Sequence, residues 1–282
     1  MKEIININIE NEVISLIKDI SFTCVPSWYG STMRNLKMNI LAPKVRQGHA
    51  PCPTIVWICG GAFRVVDNAV WLPEMIYFAK KGYVVASVEY RTSNETTFPD
   101  PLIDVKSAIR YLKAHATDFC VDPEKIFVMG ESAGGTIASL VGVTQDIKEF
   151  DIGDYLEYDS KVRAVVDFYG MSDFTEDVII EGNKIVPPWA IQDFLGIDYT
   201  DDMARKASAL TYINENTPPF MILHGSNDNL VPISQSDKLY EKLQEKGVYV
   251  HYYVLEGAGH GEDHFYQEKI LNLIDGFFQK FI

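Results

Sequence analysis

Short runs of almost unbroken apolar residues alternate along this chain with stretches in which apolar residues recur every three or four positions. The runs are TIVWICG (Thr54 to Gly60), YVVASVEY (Tyr83 to Tyr90), KIFVMG (Lys125 to Gly130), VRAVVDFYG (Val162 to Gly170), PFMILHG (Pro219 to Gly225) and VYVHYYVLEG (Val248 to Gly257). Continuous apolar runs of this length suit parallel strands covered on both faces. Between them, Leu102, Val105, Ile109 and Leu112 repeat at helical spacing. A second helix is expected from near Ser234 to Gly247, a glycine placed to end it. A third is expected from about His264 to Ile282, with Ile270, Ile274, Phe277 and Phe281 on one face. Ahead of Thr54, the runs DISFTCV and LKMNILA have no helix between them and read as an antiparallel pair at one edge of the sheet. Strands alternating with helices imply βαβ units and an α/β fold with a mostly parallel sheet and helices on both faces.

In such sheets reactive groups gather beyond the carboxyl ends of the strands. The stretch from Thr144 to Pro218 is longer than a crossover needs, and its second half, roughly 171–210, is expected to be an insertion folded over that edge. No repeat, low-complexity tract or linker divides the chain, so a single domain over 1–282 is expected.

Composition narrows the function. Apolar residues make up 47% and charged residues 23%, which excludes disorder for most of the chain. The net charge of −14 repels phosphate backbones and anionic membranes, so neither nucleic acid nor membrane is expected as a partner. The amino terminus has no apolar run of signal-peptide length, and no stretch approaches the ~18 apolar residues of a membrane span. Cys24, Cys52, Cys59 and Cys120 form no CxxC pair and have no histidine at zinc-finger spacing. A cytoplasmic protein with reduced thiols, no metal and no cofactor is expected; a homodimer is left open.

The chemistry starts at Gly130-Glu131-Ser132-Ala133-Gly134, directly after the run KIFVM and ahead of the helix-compatible TIASLVGV. A G-x-S-x-G between strand and helix is the setting of a nucleophile elbow, where small residues allow the sharp turn and the helix amino terminus favours developing negative charge. A serine needs a base, and the base a carboxylate. Of six histidines, His49 lies in a Pro-flanked loop, His115 ends a helix, His251 is inside a strand and His224 ends one. His260, in the glycine-rich loop GAGHG beyond the last strand, is the expected base, with His264 as its rival. The expected acid is Asp228, which falls between Ser132 and His260 in chain order, ahead of Asp263 and Glu256. Oxyanion donors are expected from the backbone of Gly60, Gly61 and Ala133. Phe63 and Trp189 are candidate substrate-binding aromatics, as Trp28, Tyr29 and Trp71 are candidate pocket residues. Cys59 reads as a small packing residue, since nothing basic adjoins it. The acidic run from Asp146 to Asp159 lacks calcium-loop spacing and reads as solvated surface.

The ordered set ICGGAF, VEYR, FPDPLIDVKSAIRYL, DPEKIFVMGESAGG, VVDFYG, PPFMILHGSNDNLVP and GAGHG resembles the serine esterases of the α/β-hydrolase superfamily. The likeness covers nearly the whole chain from about Asp19 and points to the bacterial group of feruloyl- and acetyl-esterase-like proteins, and more distantly to the hormone-sensitive-lipase group. It implies Ser132 as nucleophile, Asp228 as orienting acid and His260 as general base, acting on a small soluble ester such as an acetylated or feruloylated carbohydrate. Two residues depart from the family pattern: Cys59 stands where that group usually has histidine, and Ala62 where it has a third glycine. A peptidase or amidase, or a non-catalytic ligand-binding protein of the same fold, is the alternative.

Overall fold

Strands β1 (Ile14–Ser27) and β2 (Thr32–Pro43) form the antiparallel pair expected at the sheet edge, each longer than the apolar run that marked it. They belong to a computed structural model that describes residues 1–8, 13–28, 30–43, 50–176, 179–180, 183–184 and 188–282. Tyr29, His49 and part of the expected insertion lie outside these. After the edge pair come β3 (Cys52–Ile58), α1 (Leu72–Lys80), β4 (Val84–Val88), α2 (Asp100–Ala114), α3 (Ala116–Phe119), β5 (Val121–Glu131), α4 (Ala133–Val143) and β6 (Val165–Phe168). The span expected as an insertion carries the two-residue strands β7 (Ile179–Ile180) and β8 (Asn183–Lys184) and the helices α5 (Pro188–Leu195) and α6 (Asp201–Ala207). Then β9 (Phe220–Gly225), α7 (Ser234–Glu245), β10 (Val250–Leu255) and α8 (Glu268–Phe278) follow.

The sheet runs β1-β2-β4-β3-β5-β6-β9-β10, and among these described strands only β2 runs against its neighbours. Strand β3 shows why the apolar runs lack a polar face. Its Ile55 and Trp57 belong to the same buried cluster as α1 and α8 residues such as Met75, Phe78, Ile274 and Phe277, while Val56 and Ile58 belong to the one that holds Leu102, Ile137 and Leu239 of α2, α4 and α7. Both faces of the strand are thus removed from water.

Helix α7 ends as its glycine predicts, with Gly247 at φ +72° just past the last turn. The last helix differs from expectation. A short 3-10 turn over Asp263–Tyr266 precedes it, Gln267 is extended, and α8 begins only at Glu268. The face it buries is Leu271, Ile274, Phe277 and Phe278; of the predicted face, Ile274 and Phe277 are buried and Ile270 and Phe281 are partly buried against the same core.

Helix α2 buries charge as well as its predicted apolar face. Lys106 and Arg110 are fully buried, and the acidic segment after α4 caps them. Lys106 Nζ meets Asp151 Oδ1 at 2.8 Å and the Thr144 carbonyl at 3.1 Å. Arg110 donates to the carbonyls of Ile152 and Asp154 at 2.6 and 2.8 Å. Asp159 pairs with Lys113 and Asp146 with Lys161. The segment is mostly exposed, but it is a fastened strap and not simply solvated surface. Leaving a buried cation without a partner costs several kcal/mol, roughly 3–5 when one member of a pair is removed.

Candidate active site

Ser132 stands between β5 and α4 at φ +55°, ψ −121°, a strained conformation for a residue with a side chain. The small neighbours have a steric reason. A Cβ on Gly134 would come within 2.0 Å of the Ile58 carbonyl, and one on Gly130 within 2.3 Å of the Gly134 carbonyl. The turn therefore presses β5 and α4 against β3. Ala133 is the first residue of α4, so its amide lies at the positive end of the helix dipole, and it lines the same cavity as Ser132.

His260 lies beyond β10, in the loop after Leu255, and Asp228 beyond β9. His260 Nε2 is 2.8 Å from Ser132 Oγ, and His260 Nδ1 is 2.7 Å from Asp228 Oδ2. A carboxylate only accepts, so Nδ1 carries the proton and Nε2 presents its lone pair to the serine hydroxyl. Asp228 Oδ1 accepts the amides of Leu230 and Val231, each at 2.9 Å. Burial alone would raise the Asp228 carboxyl. Hydrogen bonds from His224 and His260, the charge of His260 and the Val231 amide outweigh burial and hold the group well below the usual carboxylate range.

His224 is the residue that sequence reasoning passed over. It is fully buried, with Nε2 2.9 Å from the Val231 carbonyl and 3.3 Å from Asp228 Oδ2, and Nδ1 2.7 Å from Ser236 Oγ. The Val231 carbonyl can only accept, so Nε2–H points toward it and the Asp228 carboxylate together. The other described histidines lie elsewhere: His264 is on Glu262, His115 on Asp118, and His251 between Tyr249 and Tyr253.

The loop after β3 brings one correction. Gly60 was expected to offer its amide to an oxyanion, but that N–H donates to Glu131 Oε1 at 2.5 Å. Glu131 is buried and also accepts from the Trp71 indole at 3.3 Å and from the Tyr169 hydroxyl at 3.5 Å. Burial raises its carboxyl, and the Gly60 amide, the Trp71 indole and His260 offset that rise only in part. The loop then turns through Gly61, Ala62 and Phe63, all at positive φ. Arg64 closes it by pairing with Asp193 of α5 and lying 4.1 Å over the Trp189 ring.

Ser132 and His260 open on a cavity of about 90 Å³ lined by Ala62, Phe63, Ala133, Met171, Trp189 and Leu230 among others. Phe63 is buried and stacked 4.1 Å from Phe194 of α5, so α5 forms one wall and fastens the loop at once. Trp189 lies at the rim, whereas Trp71 stacks on Tyr266 behind Glu131 and Trp28 is exposed. Cys59 is buried under the loop, and burial first, then the Glu131 charge, push its thiol up to about 12. Among the described residues no three His, Cys, Asp or Glu side chains could hold a metal ion, and no helix is long and apolar enough to cross a membrane.

Among known proteins, the protein named "Probable carboxylic ester hydrolase LipM" of Mycobacterium tuberculosis is 34% identical over 198 residues, 68% of this chain and 45% of that protein. "Esterase LipC" of the same organism is 32% identical over 225 residues, covering 76% of this chain and 54% of its own length. The chain thus spans about half the length of these curated relatives. The butyrate-bound structure of a thermophilic esterase from Thermogutta terrifontis superposes with a TM-score of 0.74 at 25% identity, covering 92% of this chain and 94% of that one. The BD-FAE family model matches residues 38–243, from within β2 to within α7, taking in the Ser132 turn, the β3 loop and Asp228. With that match over most of its length and this sheet, the chain belongs to the BD-FAE family, within the α/β-hydrolase superfamily.

Proposed function

We propose that this chain hydrolyses small carboxylic esters through an acyl-enzyme on Ser132. The observation that carries the reading is the hydrogen-bonded series from Ser132 Oγ through His260 to Asp228, at 2.8 and 2.7 Å, opening on a mostly apolar cavity. The names of its relatives, a probable carboxylic ester hydrolase and an esterase, support it. His260 Nε2 takes the hydroxyl proton as Ser132 Oγ attacks the ester carbonyl. The carbonyl electron pair moves onto oxygen, where the Ala133 amide and the unengaged amides of the β3 loop, Gly61 and Ala62, receive it. Collapse of this intermediate breaks the bond to the alcohol, which leaves with the proton from His260. Water then repeats the sequence on the acyl-serine, and the acid departs. Asp228 keeps Nδ1 protonated throughout and stabilises the imidazolium.

Substrate size follows from the walls. The Ala62 methyl, the Phe63–Phe194 stack and Met171 bound the cavity beside the serine, and the relative from Thermogutta terrifontis was crystallised with butyrate. We infer short acyl groups, with a carbohydrate alcohol as the family resemblance implies. On p-nitrophenyl esters, kcat/KM is expected to peak between acetate and butyrate and to fall at least tenfold by dodecanoate, a loss on the scale of one or two ill-fitting methylenes. A maximum at decanoate or beyond would make the protein a lipase. Ser132→Ala should abolish turnover and also block the single organophosphate adduct expected on the wild-type chain; an adduct on another serine of an active Ser132→Ala variant sinks the assignment.

A further inference from the structure

Glu131 immediately precedes the nucleophile, yet nothing in the proposed reaction uses it. Its carboxylate is buried beneath the β3 loop, and its two oxygens face different partners: Oε1 takes the N–H groups of Gly60 and Trp71, while Oε2 faces the Tyr169 hydroxyl. The fit is close, because a Cβ on Gly60 would sit 2.6 Å from Oε1. Tyr169 in turn packs its ring 4.6 Å from that of His260. Three parts of the site, the serine turn, the loop after β3 and the histidine, are therefore joined through one side chain.

We propose that Glu131 is a positioning residue that fixes the oxyanion loop by holding the Gly60 amide, so that the next two amides, those of Gly61 and Ala62, face Ser132. The geometry explains why the loop tolerates Cys59 and Ala62. The loop is anchored from below by the residue before the nucleophile, and the positive φ values of Gly61, Ala62 and Phe63 follow from the turn made above that anchor. This rests on the esterase reading above.

The experiment compares Glu131→Ala with Glu131→Gln, using p-nitrophenyl acetate and counting intact sites with a p-nitrophenyl phosphonate. Glutamine keeps a carbonyl where Gly60 and Trp71 donate, and its amide can donate to the Tyr169 oxygen. Glu131→Ala should lower kcat per titrated site about a hundredfold, the scale of losing one oxyanion donor, with KM changed less than about threefold. Glu131→Gln should recover all but about fivefold of that loss, since it restores the acceptor without the charge. A merely structural role would lower the number of titrated sites and leave kcat per site alone. Near-wild-type kcat per site in Glu131→Ala, or a Glu131→Gln as impaired as Glu131→Ala, would overturn the proposal. Should Glu131→Ala not fold, amide exchange on the wild-type chain decides: Gly60 is expected to exchange more slowly than Gly61 and Ala62, and the reverse order refutes the anchor. A wild-type chain that neither turns over esters nor reacts with the phosphonate defeats the esterase reading instead.

Discussion

Two aspartates sit in neighbouring parts of the sheet and both have their carboxylates out of water, yet they behave as opposite kinds of group. Asp167, on β6 next to β9, accepts one hydrogen bond from the Ser139 hydroxyl and one from the Gly170 amide, each at 2.9 Å. Burial pushes it up to about 6, with those two donors and the charge of His224 opposing. Asp228, beyond β9, meets two imidazoles and two amides and is held low instead. Depth is therefore not what decides whether a carboxylate keeps its charge. The number of donors converging on it, and whether any of them can become cationic, decides it.

The sharpest way to break this contrast is to neutralise each group in turn. Asp228→Asn should lower kcat by about a thousand- to ten-thousand-fold, the scale for a triad carboxylate, because His260 then loses the acceptor that sets its tautomer. Asp167→Asn should leave kcat within about threefold, since it touches neither Ser132 nor His260. Equal losses would show that the two sites are not functionally distinct.

Stability against pH separates them next. Asp167 binds its proton more tightly in the folded chain than the unfolded one, so folding is favoured as pH falls through about 6 and this benefit is complete near pH 4. Asparagine carries no such charge. Chemical denaturation should therefore show the Asp167→Asn variant gaining on wild type by up to about 3 kcal/mol between pH 4 and pH 8, the distance from an ordinary aspartate near 3.9 to about 6 at 1.36 kcal/mol per pH unit. A gap that does not change with pH would mean that Asp167 gives up its proton at the same pH in the folded chain as in the unfolded one.

A smaller effect is expected at His224. His224→Phe keeps the ring but removes a donor to Asp228, and losing a hydrogen bond to a charged group costs about 1.5–3 kcal/mol. The sign follows from Asp228, whose folded affinity for a proton is weakened. Its stabilisation is present above the unfolded carboxyl value near 3.9 and is lost as pH falls further. The penalty of His224→Phe should accordingly be full at pH 7 and shrink below about pH 4. A penalty independent of pH would reduce His224 to a packing residue.

Cys59, buried under the β3 loop, follows the same rule as Asp167. Burial without a cation leaves the thiol neutral at pH 8, so iodoacetamide should inactivate slowly and Cys59→Ala should keep activity within about tenfold. Fast inactivation that Cys59→Ala abolishes would contradict this.

Much of this protein could be read from residue order. The apolar runs marked the strands because parallel strands need both faces covered, and a strand end is where a turn glycine or a reactive side chain must stand. Ser132, Asp228 and His260 could thus be singled out from three separate strand ends, and helix α7 could be ended at Gly247, all from local rules. Gly60, Glu131 and His224 were beyond such rules. Which amide of a glycine-rich loop is left unpaired depends on what lies beneath it, and only the packing of β5 against β3 sets a carboxylate there. His224 looks like any strand-end histidine until the Asp228 loop folds back over it. Likewise the strap from Asp146 to Asp159 looked solvated because its cations, Lys106 and Lys113, lie a whole crossover away on α2. Pattern along the chain determines which surfaces must be buried; which polar groups are then buried together is decided only when distant elements meet, and that meeting sets their charge.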